Sequence, residues 1–166
     1  STAEPDVPAE VSADETVDVV KALNKIAELE GITLSTPFSG RNNSAYIAAL
    51  AYDSHTRDIR QDVAGRQTIA THWVDVRENQ RLEPKTANQY WLAAKYGGFR
   101  VPDGFDPYAR TEALDMAWWH GTEDYLTSGP QGGTTTTVTD YPRPDNFYVA
   151  SEAHKMIESL TKAFQK

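Results

Sequence analysis

Apolar positions along this chain switch between helical and alternating spacing, and the switches mark its elements. Val19, Val20, Leu23, Ile26 and Ala27 recur at helical spacing. Ser12 and Glu15 upstream match the S-x-x-E capping box, so a helix is predicted from Ser12 to a C-cap at Gly31. Ile32 and Leu34 alternate with Thr33 and Ser35, which predicts a short strand over 32–38 limited by Pro37. Beyond a loop at 39–43, Ser44 is placed to cap a second helix with Tyr46, Ile47, Leu50 and Ala51 as its apolar side. Residues 62–65 read as a turn. Residues 68–76 (TIATHWVDV) are the strongest strand signal. Ile69, Thr71 and Trp73 point one way, and Ala70, His72, Val74 and Val76 the other. Apolar groups on both faces suit a central strand covered on both sides.

The second half continues the alternation. Thr86 is predicted to cap a third helix running through Lys95, with Tyr90, Trp91 and Ala94 along it and Gly97-Gly98 ending it. Residues 99–109 form a loop punctuated by Pro102, Gly104 and Pro107. A short fourth helix is predicted over 110–119, with Ala113, Leu114, Ala117 and Trp118 on one face. Residues 127–145 carry Gly129, Pro130, Gly132, Gly133, four Thr (134–137), Pro142 and Pro144; they read as a long surface loop with an edge strand at 135–139. Residues 146–150 (NFYVA) form a short buried strand. Ser151 then caps a final helix with Ala153, Ile157, Leu160 and Phe164 on one side. Strands separated by helices imply a parallel sheet with crossovers, hence an α/β class. With two convincing strands and two further candidates, the expectation is a helix-rich α/β domain, or half of one. Residues 1–11, with Pro5 and Pro8, are expected to be a flexible lead-in to a single domain over 12–166, in which 100–145 is a loop-rich insertion.

Composition narrows the partners. The net charge is -8, with Glu4, Asp6, Glu10, Asp14, Glu15 and Asp18 preceding the first lysine. That disfavours nucleic acid and anionic membrane, which need a cationic face. There is no cysteine, which excludes disulfides and thiolate metal sites. No apolar run approaches the roughly 20 residues of a membrane span. Four Trp, eight Tyr and five Phe argue for a packed core.

Candidate chemistry is sparse. His72 and Asp75 lie near the C-terminal end of the best strand, where open α/β sheets place ligands. Three residues apart on an extended strand, they face opposite sides, so packing is the expected role. His120, Glu123 and Asp124 offer a His-x-x-Glu spacing, but Gly121 breaks a continuous helix and a solvated turn is expected. His55 and Asp58 are set for a local hydrogen bond, and His154 for the polar side of the last helix. The threonine run reads as an edge or mobile loop rather than an adhesive surface. Trp118, Trp119 and Tyr125 suggest a sugar-binding platform, although at least one tryptophan of the pair must face the core. Asn42-Asn43-Ser44 matches a glycosylation pattern and is read as accidental. No nucleophile elbow, P-loop or dinucleotide fingerprint occurs. No catalytic, cofactor-binding or metal-ligating residue is therefore assigned, and no cofactor is expected.

The segment 45–76 resembles PilY-type type IV pilus tip adhesins at Leu50, Ala51, Tyr52, His55, Thr56, Asp58, Gly65, Gln67, Thr68, Thr71, Val74, Asp75 and Val76. YWLAAKYGGF (90–99) is similar to the helix and glycine turn that follow in that family. Residues 146–164 resemble the closing strand and helix of von Willebrand factor type A domains. The resemblance implies the later part of such a domain, Rossmann-like, with few parallel strands flanked by helices. The D-x-S-x-S and Thr-Asp-Gly elements of its metal-dependent adhesion site are absent from this sequence, so no metal residue is carried over. Nor does anything resemble the family's calcium-binding propeller.

The resemblance implies a non-enzymatic module of a pilus-associated adhesin or assembly protein, extracellular or on the cell surface after passage through the periplasm. Its expected partners are pilus subunits, the rest of its own polypeptide, further copies of itself, or a host or abiotic surface. The competing expectation is a small metal-dependent hydrolase using His72, Asp75, His120 and Glu123, which requires at least three of them to converge.

Overall fold

In the computed structural model, which describes residues 9, 13, 15–33, 45–76, 88–122, 125–128, 139–150, 157, 158, 160, 161, 164 and 165, helices pack on one another and on a parallel pair of strands. The order is α1 (Val19–Glu30), α2 (Tyr46–Thr56), β1 (Trp73–Val76), α3 (Gln89–Tyr96), a 3-10 turn (Met116–Trp118), β2 (Tyr125–Ser128), β3 (Thr139–Pro142) and β4 (Phe147–Ala150). β1 and β4 run parallel, pairing Trp73 with Phe147 and Val76 with Ala150. β2 and β3 form a separate antiparallel pair in which Leu126 faces Tyr141. Mixed α/β architecture with a small parallel sheet is thus what the alternation of patterns implied.

Helix α1 buries Ala22, Leu23, Ile26 and Leu29, one stripe at helical spacing. Its cap is Asp18, whose side chain accepts the Lys21 N–H at 2.8 Å, and not Ser12, which lies outside the described residues. Val20 is therefore outside the stripe and exposed. Gly31 does end the helix, at φ 64°, with its N–H on Glu28 O and that of Ile32 on Ala27 O, a Schellman closure.

Helix α2 turns the opposite way from its hydrophobicity. Ala48, Ala49, Ala51 and Tyr52 are buried, while Ile47 and Leu50 are 37% and 45% exposed. Small residues win the interior because α2 packs between α1 and α3, and α3 presents Ala93 and Ala94 of its own. The expected cap, Ser44, lies outside the described residues, and Ala45 makes no side-chain cap bond.

Helix α3 is the hub: Trp91 through Tyr96 are all buried. It is capped by Asn88, whose side chain accepts the Trp91 N–H at 3.0 Å; Thr86 lies outside the described residues. Trp91 reaches the β2–β3 pair, donating its indole N–H to Pro142 O at 3.0 Å and meeting Tyr141 and Trp119 edge-on. Tyr90 stacks on Trp73 with centroids 3.8 Å apart, tying α3 to β1. Each large side chain buried this way contributes on the order of 2–3 kcal/mol.

Two predicted elements are shorter or absent. The ladder begins only at Trp73, because earlier backbone groups bond elsewhere: Ile69 N–H to Ser54 O and Thr71 N–H to Gly97 O. Within the ladder, β1 has β4 as its strand neighbour among the described residues, and its Trp73, Val74 and Asp75 are half-buried. No α-helix forms over 110–119. The Arg110 side chain takes the Glu112 and Ala113 carbonyls, Asp115 accepts the Ala117 N–H, and only the 3-10 turn remains. Ala113 and Ala117 are exposed there, whereas Leu114 and Trp119 are buried. The β2–β3 pair takes residues 127–128 and 139–142 of the loop expected over 127–145, and residues 129–138, with the threonine run and most of the expected edge strand, lie outside the described residues.

The close crossing at Gly97 yields a test. A Cβ there would sit 2.7 Å from Thr71 Cβ and 2.8 Å from Ala51 Cβ, with the backbone at φ -96° raising no objection of its own. Gly97→Ala should lower stability by about 1–3 kcal/mol through overpacking, read as a shift in the urea unfolding midpoint; an unchanged midpoint would contradict the crossing.

Candidate functional site

The residues singled out for chemistry fall in three separate places. His72 precedes β1 and stacks on Tyr148 of β4, with ring centroids 6.1 Å apart and the Tyr148 hydroxyl 3.5 Å from Nδ1. Asp75 lies within β1, opposite Val149. His120 is buried rather than part of a solvated turn: its Nδ1 is 2.8 Å from Arg143 O, and its ring packs against Trp119 and Tyr125.

The surroundings of His120 are structural. Asp145 accepts the N–H groups of Gly121 and Thr122, and its own N–H donates to Trp119 O. Arg143 donates to Phe147 O at 2.6 Å and to the Thr122 hydroxyl at 2.9 Å. Its guanidinium also lies over the Tyr148 ring. The 143–145 turn thereby staples the 119–122 segment to the start of β4. Glu123, Asp124 and His154 lie outside the described residues. Among the described residues no group of three or more His, Cys, Asp or Glu side chains comes together. Of the tryptophan pair, Trp119 is buried and Trp118 half-buried over Phe105, while Tyr125 is exposed.

His55 and Asp58 do not bond each other. His55 Nδ1 lies 3.0 Å from Ile69 O and Nε2 2.7 Å from Phe99 O, so the ring bolts the end of α2 to two other segments. A neutral imidazole donates to one of these carbonyls and an imidazolium to both. Asp58 instead accepts the N–H groups of Arg60 and Gln67 at 3.1 and 3.0 Å, closing the loop that ends at Gly65.

One buried polar cluster was not singled out in the sequence. Lys95, 4% exposed, pairs with Glu30 at the end of α1, and the Tyr96 hydroxyl donates to the same carboxylate oxygen at 2.8 Å. The Lys95 ammonium also sits 4.1 Å from the centre of the Trp119 ring. Burial and the adjacent Glu30 charge hold the Tyr96 phenol well above its ordinary range, and burial likewise raises that of Tyr52. A lysine on an otherwise apolar helix was the available signal, but its partner lies on a distant helix. The cluster's groups satisfy one another, which marks it as a device for fixing α1 against α3 rather than as a reactive centre.

Several apolar side chains lie on the outside. Ile47, Leu50 and Ile69 are exposed near the α2 surface, and helical Ile157, Leu160 and Phe164 are 66%, 42% and 87% exposed. Among the described residues no helix is long and apolar enough to cross a membrane.

Comparison with known proteins adds one relationship. Over its full length the chain is 43% identical, across 180 aligned positions, to the type IV pilus biogenesis factor PilY1 homolog of Xylella fastidiosa strain Temecula1. It spans 14% of that protein's length. No family model and no solved structure matches.

The ion pair generates a prediction. Glu30→Ala removes the carboxylate that faces the buried Lys95 ammonium and should cost about 3–5 kcal/mol. The joint replacement Glu30→Leu with Lys95→Met should recover most of that in the same urea titration. Equal loss in both variants would show that the pair does not act as a unit.

Proposed function

We propose that the chain belongs to the PilY1-type family and is a non-enzymatic module of a pilus-associated protein. It acts through protein–protein contact and surface attachment, outside the cell or on its surface. The observation that carries this reading is the 43% identity along the whole chain to a pilus biogenesis factor. Within that reading, residues 12–166 correspond to the later part of a von Willebrand type A domain. The parallel β1–β4 pair, with α3 and the β2–β3 pair between its strands in the chain, and the helical residues after β4 are consistent with this assignment.

The residues themselves support binding over catalysis. His55 and His120 each contact backbone carbonyls, Asp58 and Asp145 accept backbone N–H groups, and the buried Lys95 is paired. These groups hold segments together. The exposed Ile157, Leu160 and Phe164 fit a surface that packs on more polypeptide, either the remainder of the protein or a pilus subunit.

Gly97→Asp in the full-length gene of the bacterium that encodes it should reduce surface pilin and attachment severalfold while the parent protein is still produced. Unchanged piliation and attachment would contradict the pilus role. A metal-dependent turnover of the purified chain, abolished by His72→Gln with folding intact, would overturn the non-enzymatic part.

A further inference from the structure

The strongest unassigned feature is a recess between the end of α2 and the loop that follows α3. It has a volume of about 300 Å³ and is lined by His55, Arg66, Thr68, Phe99, Arg100 and Val101. In a chain with 24 acidic and 16 basic residues, this lining holds two arginines and a histidine and no carboxylate.

Three other cations of the fold have a carboxylate partner. Arg57 is held by Asp53, Arg60 by Asp62 and Lys95 by Glu30. Arg66 donates to the Thr56 carbonyl, a neutral acceptor, which leaves the rest of its fork available. The Arg100 backbone N–H is fixed to Trp118 O at 2.7 Å, while its guanidinium forms no hydrogen bond or ion pair among the described residues. Asp58, on the same loop as Arg66, turns its carboxylate onto the Arg60 and Gln67 N–H groups instead of toward these cations.

The lining residue His55 is held in place on both sides of its ring. His55 is anchored by two carbonyls and meets the Phe99 ring edge-on at 5.4 Å. Two guanidiniums with unused donors beside a threonine hydroxyl offer paired N–H and O–H donors to the oxygens of an oxyanion.

We infer that the recess lined by Arg66, Arg100, Thr68 and His55 is a binding site for an oxyanion. Arg66 and Arg100 supply the charge-assisted donors, Thr68 adds a hydroxyl, and the anchored His55 ring forms part of the wall. The bound group is either a carboxylate of an acidic protein segment or a free inorganic oxyanion of the same size. The site stands on its own lining and does not depend on the pilus reading.

The test is titration of the ¹⁵N-labelled chain at low ionic strength with inorganic phosphate and, separately, with N-acetyl-glutamate. Sodium chloride at matched ionic strength is the control. Amide signals of residues 66–68 and 99–101 should shift saturably, with half-saturation on the order of 1 mM. Arg66→Gln and Arg100→Gln should each weaken binding by about fivefold or more. Arg60→Gln, whose partner is Asp62, should leave it unchanged. Saturation by N-acetyl-glutamate alone assigns the protein carboxylate, by phosphate alone the free oxyanion, and by both the shared chemistry. The proposal is overturned if neither ligand saturates, if sodium chloride produces the same shifts, or if the Arg66 and Arg100 variants titrate like the parent.

Discussion

The structure turns on a crossing of four segments at Gly97-Gly98. Helix α3 ends there, and the absence of side chains lets the chain around Thr71, Ala51 of α2 and Asn146 approach its backbone. A Cβ on Gly98 would lie 2.1 Å from Asn146 Nδ2. Hydrogen bonds then fix the crossing: Thr71 N–H donates to Gly97 O, Asn146 Nδ2 to Thr71 O, and Trp73 N–H to Asn146 O. Asn146 brackets the two residues that lead into β1 while standing one residue before β4. The register of the parallel pair, Trp73 opposite Phe147, follows from that bracket. A one-residue slip would strand the buried amide of Asn146 without these partners and move Phe147 out of the core.

Around the crossing, small and large residues divide the work. Alanines on α2 and α3 let helices approach, and Trp91, Tyr52, Tyr96, Phe99 and Phe147 fill the space between them. The buried Lys95–Glu30 pair fixes how α1 meets α3. Polar side chains near the turns serve as fasteners, as His55 and Arg143 illustrate. Arg66 and Arg100, which form no ion pair among the described residues, line a surface recess rather than the core.

What the sequence made legible follows from the range of each signal. Gly31, the glycine pair after α3, and the strand at Phe147–Ala150 were readable because local chemistry determines them. The α2 face was not, since hydrophobicity favours Ile47 and Leu50 while helix spacing favours alanine. The 110–119 helix failed because Arg110 and Asp115 offer the backbone competing bonds. The β2–β3 pair was hidden because its partners come from either side of a Gly-, Pro- and Thr-rich connection. The local bond expected between His55 and Asp58 gave way to contacts with Ile69, Phe99 and Gln67, which no spacing rule exposes. For the same reason the joint placement of Arg66 and Arg100 emerges only from the fold.

The crossing can be examined one proton at a time. Hydrogen exchange of the Thr71 and Trp73 amides, followed by NMR, reports the bonds to Gly97 O and Asn146 O directly. Both amides should exchange only through global unfolding, with the same protection as the buried amides of α3. Exchange of either at the rate of exposed loop amides, while α3 stays protected, would show that the parallel pair is not held by this crossing.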